Sequence, residues 1–483
     1  MQHRTIARTY PPIDMSASNE LHYKTISELA PLIESRELSP VDLTRAMLDR
    51  IERLDGTLKT YATLTPELAL QQARQAEQEI VEGNYRGPLH GIPIAVKDLC
   101  NTAGIRTMGG SAVFAANIPD HDATVIVKLR EAGSVLLGKL NMTEGAMGGY
   151  NPKLQIPDNP WRASHYTGGS SSGSGSATAA GLAFGTLGSD TGGSIRHPAA
   201  ICGTVGLKPT WGRVSRYGIM DLAESLDHVG PLTRSAADAG IVLQAISGPD
   251  PNDPTSLPHE VPDMLADAGK GVRGLKIGWD SDYSTVDLEP SFARAVEAGV
   301  KVMEGMGAEI VPVKMPDILR EAVAAWPVIC STEAAMAHSS TYPSRAGEYG
   351  GFLRQWLEQG AGYSATDYAG AQSLRLALNG GLRNTMRDVD VLASATTPRA
   401  GYPVTDEDLY SIVPGDRDPW SGRFTVPHDF SGLPTIALPC GLDDNGMPVS
   451  LQFAGHHLSE PLLITVGSAF ERATDFHNLH PPI

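Results

Sequence analysis

The chain has 483 residues, 41% of them hydrophobic and 19% charged, which gives it a sizeable core and excludes a disordered protein. Its formal charge is −17 and no block of lysine or arginine occurs, so it lacks the basic surface that nucleic acid or an anionic membrane requires. No run of about 18 apolar residues occurs, so no transmembrane helix is expected.

The opening stretch, MQHRTIARTYPPIDMSASNE, has no apolar centre of the secretory type and reads as a loose arm over residues 1–20. Cys100, Cys202, Cys330 and Cys440 are scattered, with no CxxC or zinc spacing, which suits free thiols in a reducing compartment. A cytoplasmic protein is the expectation. Residues 21–60 read as N-terminal helices: Ser39 is placed to cap, Pro40 to open and Asp42 to favour the positive end of a helix. Leu43, Met47, Ile51 and Leu54 recur on one face of it and are core positions.

From residue 90 the pattern alternates. IPIAV (92–96) is a strand, ATVIVKLREAG (123–133) a helix and SVLLGKL (134–140) a strand; LKIGW (275–279), residues 290–306 and AEIVPV (308–313) repeat the unit. Such alternation predicts an α/β fold in one large domain over residues 21–483. Its central sheet is expected to be mixed, mostly parallel and twisted, with helices on both faces. SGPDPNDPTSLPHEVPD (247–263) is a long surface loop rather than a linker, because IALPCG and VSLQFAG (436–455) read as further strands of the same core.

One stretch resists this scheme. GGSSSGSGS (168–176) has the composition of a flexible coil, yet it runs directly into small apolar sequence, ATAAGLAF. Downstream, GSDTGGSIRHPA (188–199) offers a turn whose successive amides can converge on one oxygen, with Ser194 immediately behind them. An isolated GGS is usually an ordinary turn, and a serine nucleophile needs a base. No histidine has a distinctive context and no HExxH zinc motif occurs. Lys97 offers a base: it ends the apolar run GIPIAV, and burial lowers a lysine's pKa towards neutrality.

Taken together, GPLHGIPIAVKD, GGSSSGS, GSDTGGSIRHPA and GLKPTWGRVSRYG resemble the amidase signature family of hydrolases. LLGKLNMTEGAMGG, SLDHVGPLTRSAADA and FSGLPTIALPCGLDDNGMPVSLQFAG extend the resemblance, in order, over roughly residues 25 to 480. The resemblance implies a Ser–cis-Ser–Lys triad acting through an acyl-enzyme. Ser194 is then the nucleophile, Ser170 the proton relay and Lys97 the general base, with Ser171 and Ser172 as local competitors for the relay. It implies an oxyanion hole from the amides of Thr191, Gly192 and Gly193, and a bracing pair, Asp190 and Arg196. It places a pocket wall near Gly145, Met147 and Gly148. Relatives commonly carry a phenylalanine at the position of Gly145, so a roomier pocket is expected here. Residues 315–425 are the variable substrate region, with Trp326, Tyr363, Tyr368, Trp420 and Phe424 as candidate aromatic contacts, although core packing is the commoner role for each.

The implied substrate is a small-molecule amide or carbamate, cleaved without metal or cofactor and without a nucleic-acid or membrane partner; a homodimer stays open. Two rival readings stand beside it. One is the amidotransferase-type subunit that works on charged tRNA with partner subunits. The other is an esterase elbow at GSSSG (169–173) with Ser171 as nucleophile, which would need an apolar strand where NPWRASHYT stands. A non-catalytic Gly-rich binding protein is disfavoured because GxxxxGK[ST] is absent.

Overall fold

A computed structural model describes residue 10 and residues 21–411 and 418–483. Apart from Tyr10, the arm expected over residues 1–20 lies outside the described residues. Eleven strands form one sheet: β1 (Tyr61–Leu64), β2 (Pro93–Lys97), β3 (Val135–Leu140), β4 (Gly185–Asp190), β5 (Val205–Lys208), β6 (His228–Thr233), β7 (Lys276–Trp279), β8 (Glu309–Pro312), β9 (Val391–Ala395), β10 (Thr435–Leu442) and β11 (Pro448–Gly455). Their spatial order is β1-β3-β2-β4-β6-β5-β10-β11-β9-β7-β8.

The sheet is mixed as expected, but it is not mostly parallel. Parallel pairing is confined to two patches, β3-β2-β4 and β9-β7-β8. Between them β4, β6, β5, β10, β11 and β9 pair antiparallel, as does β1 at the edge. The turn between β10 and β11 is too short for the crossover that a parallel partner needs. Strands β2, β3 and β4 are buried along their whole length, which is why, apart from Lys97, Lys139 and Asp190, they read as runs of small or apolar residues.

Helices α1 (Ile26–Glu34) and α2 (Pro40–Leu58) fall where the caps predict. Ser39 Oγ accepts from the amides of Val41 and Asp42 at 3.1 and 3.2 Å. Residues 247–263 form no regular element and are pinned to the body at Asp250, which accepts from Ser215 Oγ at 2.6 Å, and Asp253, which accepts from the Arg216 amide at 2.8 Å.

The glycine-serine stretch is core. Helix α3 (Ser172–Ala179) begins inside it, ahead of the apolar sequence, and every residue of that helix is buried. Its hydroxyls are satisfied internally. Ser172 Oγ accepts from Tyr150 at 2.8 Å, Ser174 Oγ donates to the Leu187 carbonyl of β4 at 2.9 Å, and Ser176 Oγ donates to the Asp158 carbonyl at 2.8 Å. A buried hydroxyl without such a partner costs about 1–3 kcal/mol. The glycines serve close approach: a Cβ on Gly173 would stand 2.4 Å from the Asn141 carbonyl oxygen and 2.7 Å from that of Thr60.

Two glycine-to-alanine changes in helices should therefore have opposite signs. Gly173→Ala meets backbone that cannot yield and should cost about 1–3 kcal/mol. Gly56→Ala in α2 meets nothing within 4 Å and should gain up to about 1 kcal/mol. Urea midpoints of the two variants against the parent decide it; a neutral Gly173→Ala refutes the tight packing of α3.

Candidate active site

Strand β2 delivers Lys97 at its carboxyl end, between β3 and β4. The side chain is fully buried, and its Nζ donates to Ser170 Oγ at 2.6 Å, Ser189 Oγ at 2.8 Å and Ser171 Oγ at 2.9 Å. Among the described residues no carboxylate lies within ion-pair distance of it. Burial brings its pKa down from 10.5 to about 7, against the opposing pull of Cys100, Asp190 and Asp227. Three other basic side chains are fully buried and differ in their partners. Lys139 sits 3.6 Å from Asp98 and Arg196 is ion-paired. Lys208, which burial likewise brings down to about 7, donates to the Pro209 carbonyl and lies outside the cavity that holds Ser170 and Ser194.

The three serines that surround Lys97 are not equivalent. The Gly169–Ser170 peptide bond is cis, and Ser170 lines a cavity of about 430 Å³ together with Ser194, Thr191 and Gly192. Ser171 does not reach that cavity. Its hydroxyl donates to the Ser189 carbonyl and accepts from the Ser189 amide, both at 3.2 Å. The segment before it, 160–168, contains no strand, so the geometry of an esterase elbow at Ser171 is missing. The Ser171 amide donates to the Ser194 carbonyl at 3.3 Å, which ties the two serine segments directly together.

Ser194 follows β4 and precedes helix α4 (Arg196–Cys202) in a loop built around one carboxylate. Asp190 Oδ1 accepts from the Gly193 amide at 2.5 Å, and Asp190 Oδ2 accepts from the Ile195 amide at 3.0 Å. Both Asp190 oxygens also take the Arg196 guanidinium, at 2.9 and 3.0 Å, and Arg196 reaches Asp429 at 2.7 Å. Burial pushes Asp190 upward, but Arg196 outweighs it and holds the carboxyl well below its usual range. Burial leaves Asp429 well above that range. Asp190 and Arg196 are fully buried, so the pair is internal rather than surface charge.

This corrects one expected role. The Gly193 amide is already engaged by Asp190, whereas those of Thr191, Gly192 and Ser194 have no acceptor among the described residues. Gly193 serves a different need: its φ is +129°, and a Cβ there would meet the His197 ring at 2.6 Å.

Met147 and Gly148 line the cavity; Gly145 does not. Gly145 faces a neighbouring cavity of about 210 Å³ and has φ +57°. A Cβ there would lie 2.7 Å from Leu353, so the volume that a larger residue would occupy is filled from another helix rather than opened to substrate. Of the aromatic candidates, Trp326 and Tyr363 line the cavity, while Tyr368, Trp420 and Phe424 do not. Tyr166, Phe352 and Trp356 complete the aromatic wall, and among the described residues no lysine or arginine belongs to it.

Several residues of the site carry no sequence signal of their own. Ser189 touches Lys97 only because β4 packs beside β2. Asp227 accepts from Thr191 Oγ1 at 2.5 Å, and burial raises it to about 7. Asp429 and Thr425 arrive from more than two hundred residues downstream of Asp190.

The family model described as Amidase matches residues 42–464. AmiD, a putative amidase of Mycobacterium tuberculosis (strain ATCC 25618 / H37Rv), is 43% identical, over 98% of this chain and 98% of its own. A glutamyl-tRNA(Gln) amidotransferase subunit of Geobacter sp. (strain M21) is 38% identical, over 96% of this chain and 100% of its own. The native peptide amidase of Stenotrophomonas maltophilia superposes with a TM-score of 0.80 at 32% identity, over 95% of this chain and 98% of that one. The chain belongs to the amidase signature family of amide-hydrolysing enzymes.

Proposed function

We propose that the protein hydrolyses small, uncharged amides through an acyl-enzyme, with Ser194 as nucleophile, Ser170 as proton relay and Lys97 as general base. The observation that carries this reading is a buried lysine with no ion-pair partner among the described residues, held 2.6 Å from the hydroxyl of a serine that shares a cavity with Ser194. A lysine brought to about 7 is substantially neutral at physiological pH and can accept a proton.

In this mechanism Ser194 Oγ forms a bond to the carbonyl carbon while its proton passes to Ser170 Oγ, and the proton of Ser170 passes to Lys97 Nζ. The carbonyl π electrons move onto oxygen, where uncommitted amides of the 191–194 loop receive them. Collapse of that oxyanion breaks the C–N bond, and the departing nitrogen takes a proton back through the relay. Water then attacks the acyl-enzyme along the same path in reverse, releasing the carboxylic acid and restoring Ser194. Carbamates and esters present the same carbonyl and fall within reach of the same steps. Asp190 and Arg196 act on the loop rather than on substrate.

Substrate class follows from the walls. Met147, Leu222, Phe352, Trp326, Trp356 and Tyr363 form the apolar wall of the cavity, with Gln359 and the carboxylate Asp418 also in its lining, which suits a neutral apolar or aromatic group and disfavours an anionic one. A charged tRNA is polyanionic and demands cationic contacts, which a chain of formal charge −17 with no block of lysine or arginine does not provide. That difference favours a small-molecule substrate over the tRNA-linked role named for the Geobacter relative.

Hydrolysis of an aryl anilide provides the test. Ser194→Ala should lose activity and lose labelling by a sulfonyl fluoride, with the adduct in the parent mapping to Ser194 by mass spectrometry. Ser170→Ala should lose more than Ser171→Ala, and the reverse ranking would assign the relay to Ser171.

The pH profile supplies a separate check. The base works when neutral, so kcat/KM should rise through about pH 7 and then level off. An ionised Asp227 favours the charged lysine, so Asp227→Asn should move that rise to lower pH. A profile flat from about pH 5 to 9 is incompatible with a lysine base.

A further inference from the structure

Three successive carbonyls in the nucleophile loop are each engaged from outside it. His228 Nδ1 lies 3.2 Å from the Asp190 carbonyl oxygen, Trp326 Nε1 donates to that of Thr191 at 2.9 Å, and Thr425 Oγ1 donates to that of Gly192 at 2.6 Å. In a trans peptide unit the C=O and N–H point in opposite directions. The group that holds the Thr191 carbonyl therefore also sets the direction of the Gly192 N–H. An indole nitrogen is a donor only, so this contact cannot reverse its sense.

Trp326 is itself fixed. It lies in helix α5 (Leu319–Ala337), immediately before Pro327, and its ring packs on Trp356 at 5.7 Å between centroids. A Cβ on Gly192 would stand 2.8 Å from the indole, whose Nε1–Cε2–Cζ2 edge therefore lies against this residue and leaves no room for a side chain. Gly192 and Trp326 both line the cavity that holds Ser170 and Ser194, and the Gly192 amide has no acceptor among the described residues.

We propose that Trp326 is a positioning residue for the reaction. By holding the Thr191 carbonyl it aims the Gly192 N–H at the oxyanion that forms on attack by Ser194. The same ring is a wall of the cavity, so one side chain serves both substrate shape and loop orientation. This rests on Ser194 being the nucleophile. Orientation matters because a donor stabilises the transition state only where the charge develops, and loss of one such donor typically costs about a hundredfold or more in kcat. Misaiming it should cost about tenfold or more.

The test uses Trp326→Phe and, as the closer isostere, Trp326 replaced by benzothienylalanine, in which sulfur stands where the N–H was and the ring shape is kept. On an aryl anilide kcat should fall about tenfold or more with KM within about twofold. Inhibition by an aryl trifluoromethyl ketone, which adds to a serine as an oxyanion, should weaken by the same factor. Sulfonyl fluoride titration should still count a full complement of sites. A raised KM with unchanged kcat overturns the proposal and makes Trp326 a wall alone. A fall in kcat matched by a fall in titratable sites overturns it as well, by showing lost structure. If Phe at this position does not fold, the benzothienyl protein decides. Failure of the parent enzyme to be labelled at Ser194 would instead remove the underlying mechanism, which separates the two outcomes.

Discussion

The site depends on keeping one ammonium group dry without giving it a counter-ion. A carboxylate beside a buried lysine favours its charged form, as Asp98 does for Lys139 against the effect of burial, and a lysine open to water keeps its ordinary pKa. Lys97 avoids both by standing at the end of a strand buried on both faces and meeting three neutral hydroxyls. Hydroxyls satisfy the N–H donors yet do not repay the desolvation of the charge, so the balance tips towards the neutral amine. The length of β2, the burial of β3 and β4 and the placement of α3 all serve this condition.

The second constraint is a loop that exposes a serine and still has no freedom. Its charge is concentrated in Asp190, whose oxygens collect loop amides and a guanidinium at once. Burying that carboxylate is tolerable because Arg196 is buried with it and Asp429 joins from the far end of the chain. A carboxylate only accepts, so the loop carbonyls are held instead by His228, Trp326 and Thr425. Every peptide unit from residue 190 to residue 193 thus has an external anchor on one side, while the amides of the cavity-lining residues Thr191, Gly192 and Ser194 have no acceptor among the described residues.

About half of the cavity wall comes from the stretch between residues 315 and 425, largely on helices whose main contacts are with one another rather than with the sheet. The site's chemistry is carried by the sheet and its shape by these helices, so shape can vary without disturbing Lys97. Gly145 shows how the two are coupled: the absence of its side chain is met by Leu353, and the volume is closed from the helical side.

The sequence by itself determined most of the site's ingredients. The apolar run before Lys97, the amide-rich turn before Ser194 and the strand–helix alternation each have a local physical cause, and the resemblance of the motifs to one family follows from the same residues. Ser170 was singled out by that resemblance, and the cavity separates it from Ser171. What local reasoning could not supply was everything set by contacts distant in sequence. Periodicity does not say which strands pair, so a mixed sheet with an antiparallel centre was read as mixed but mostly parallel. Composition does not say whether glycines loosen a chain or let it pack, and only the Asn141 and Thr60 carbonyls against Gly173 show that this stretch is rigid. The engagement of the Gly193 amide by Asp190, the reach of Asp429 to Arg196 and the indole on the Thr191 carbonyl are likewise tertiary decisions. Hydrogen bonds are short-ranged, and the partners meet only once the sheet has closed.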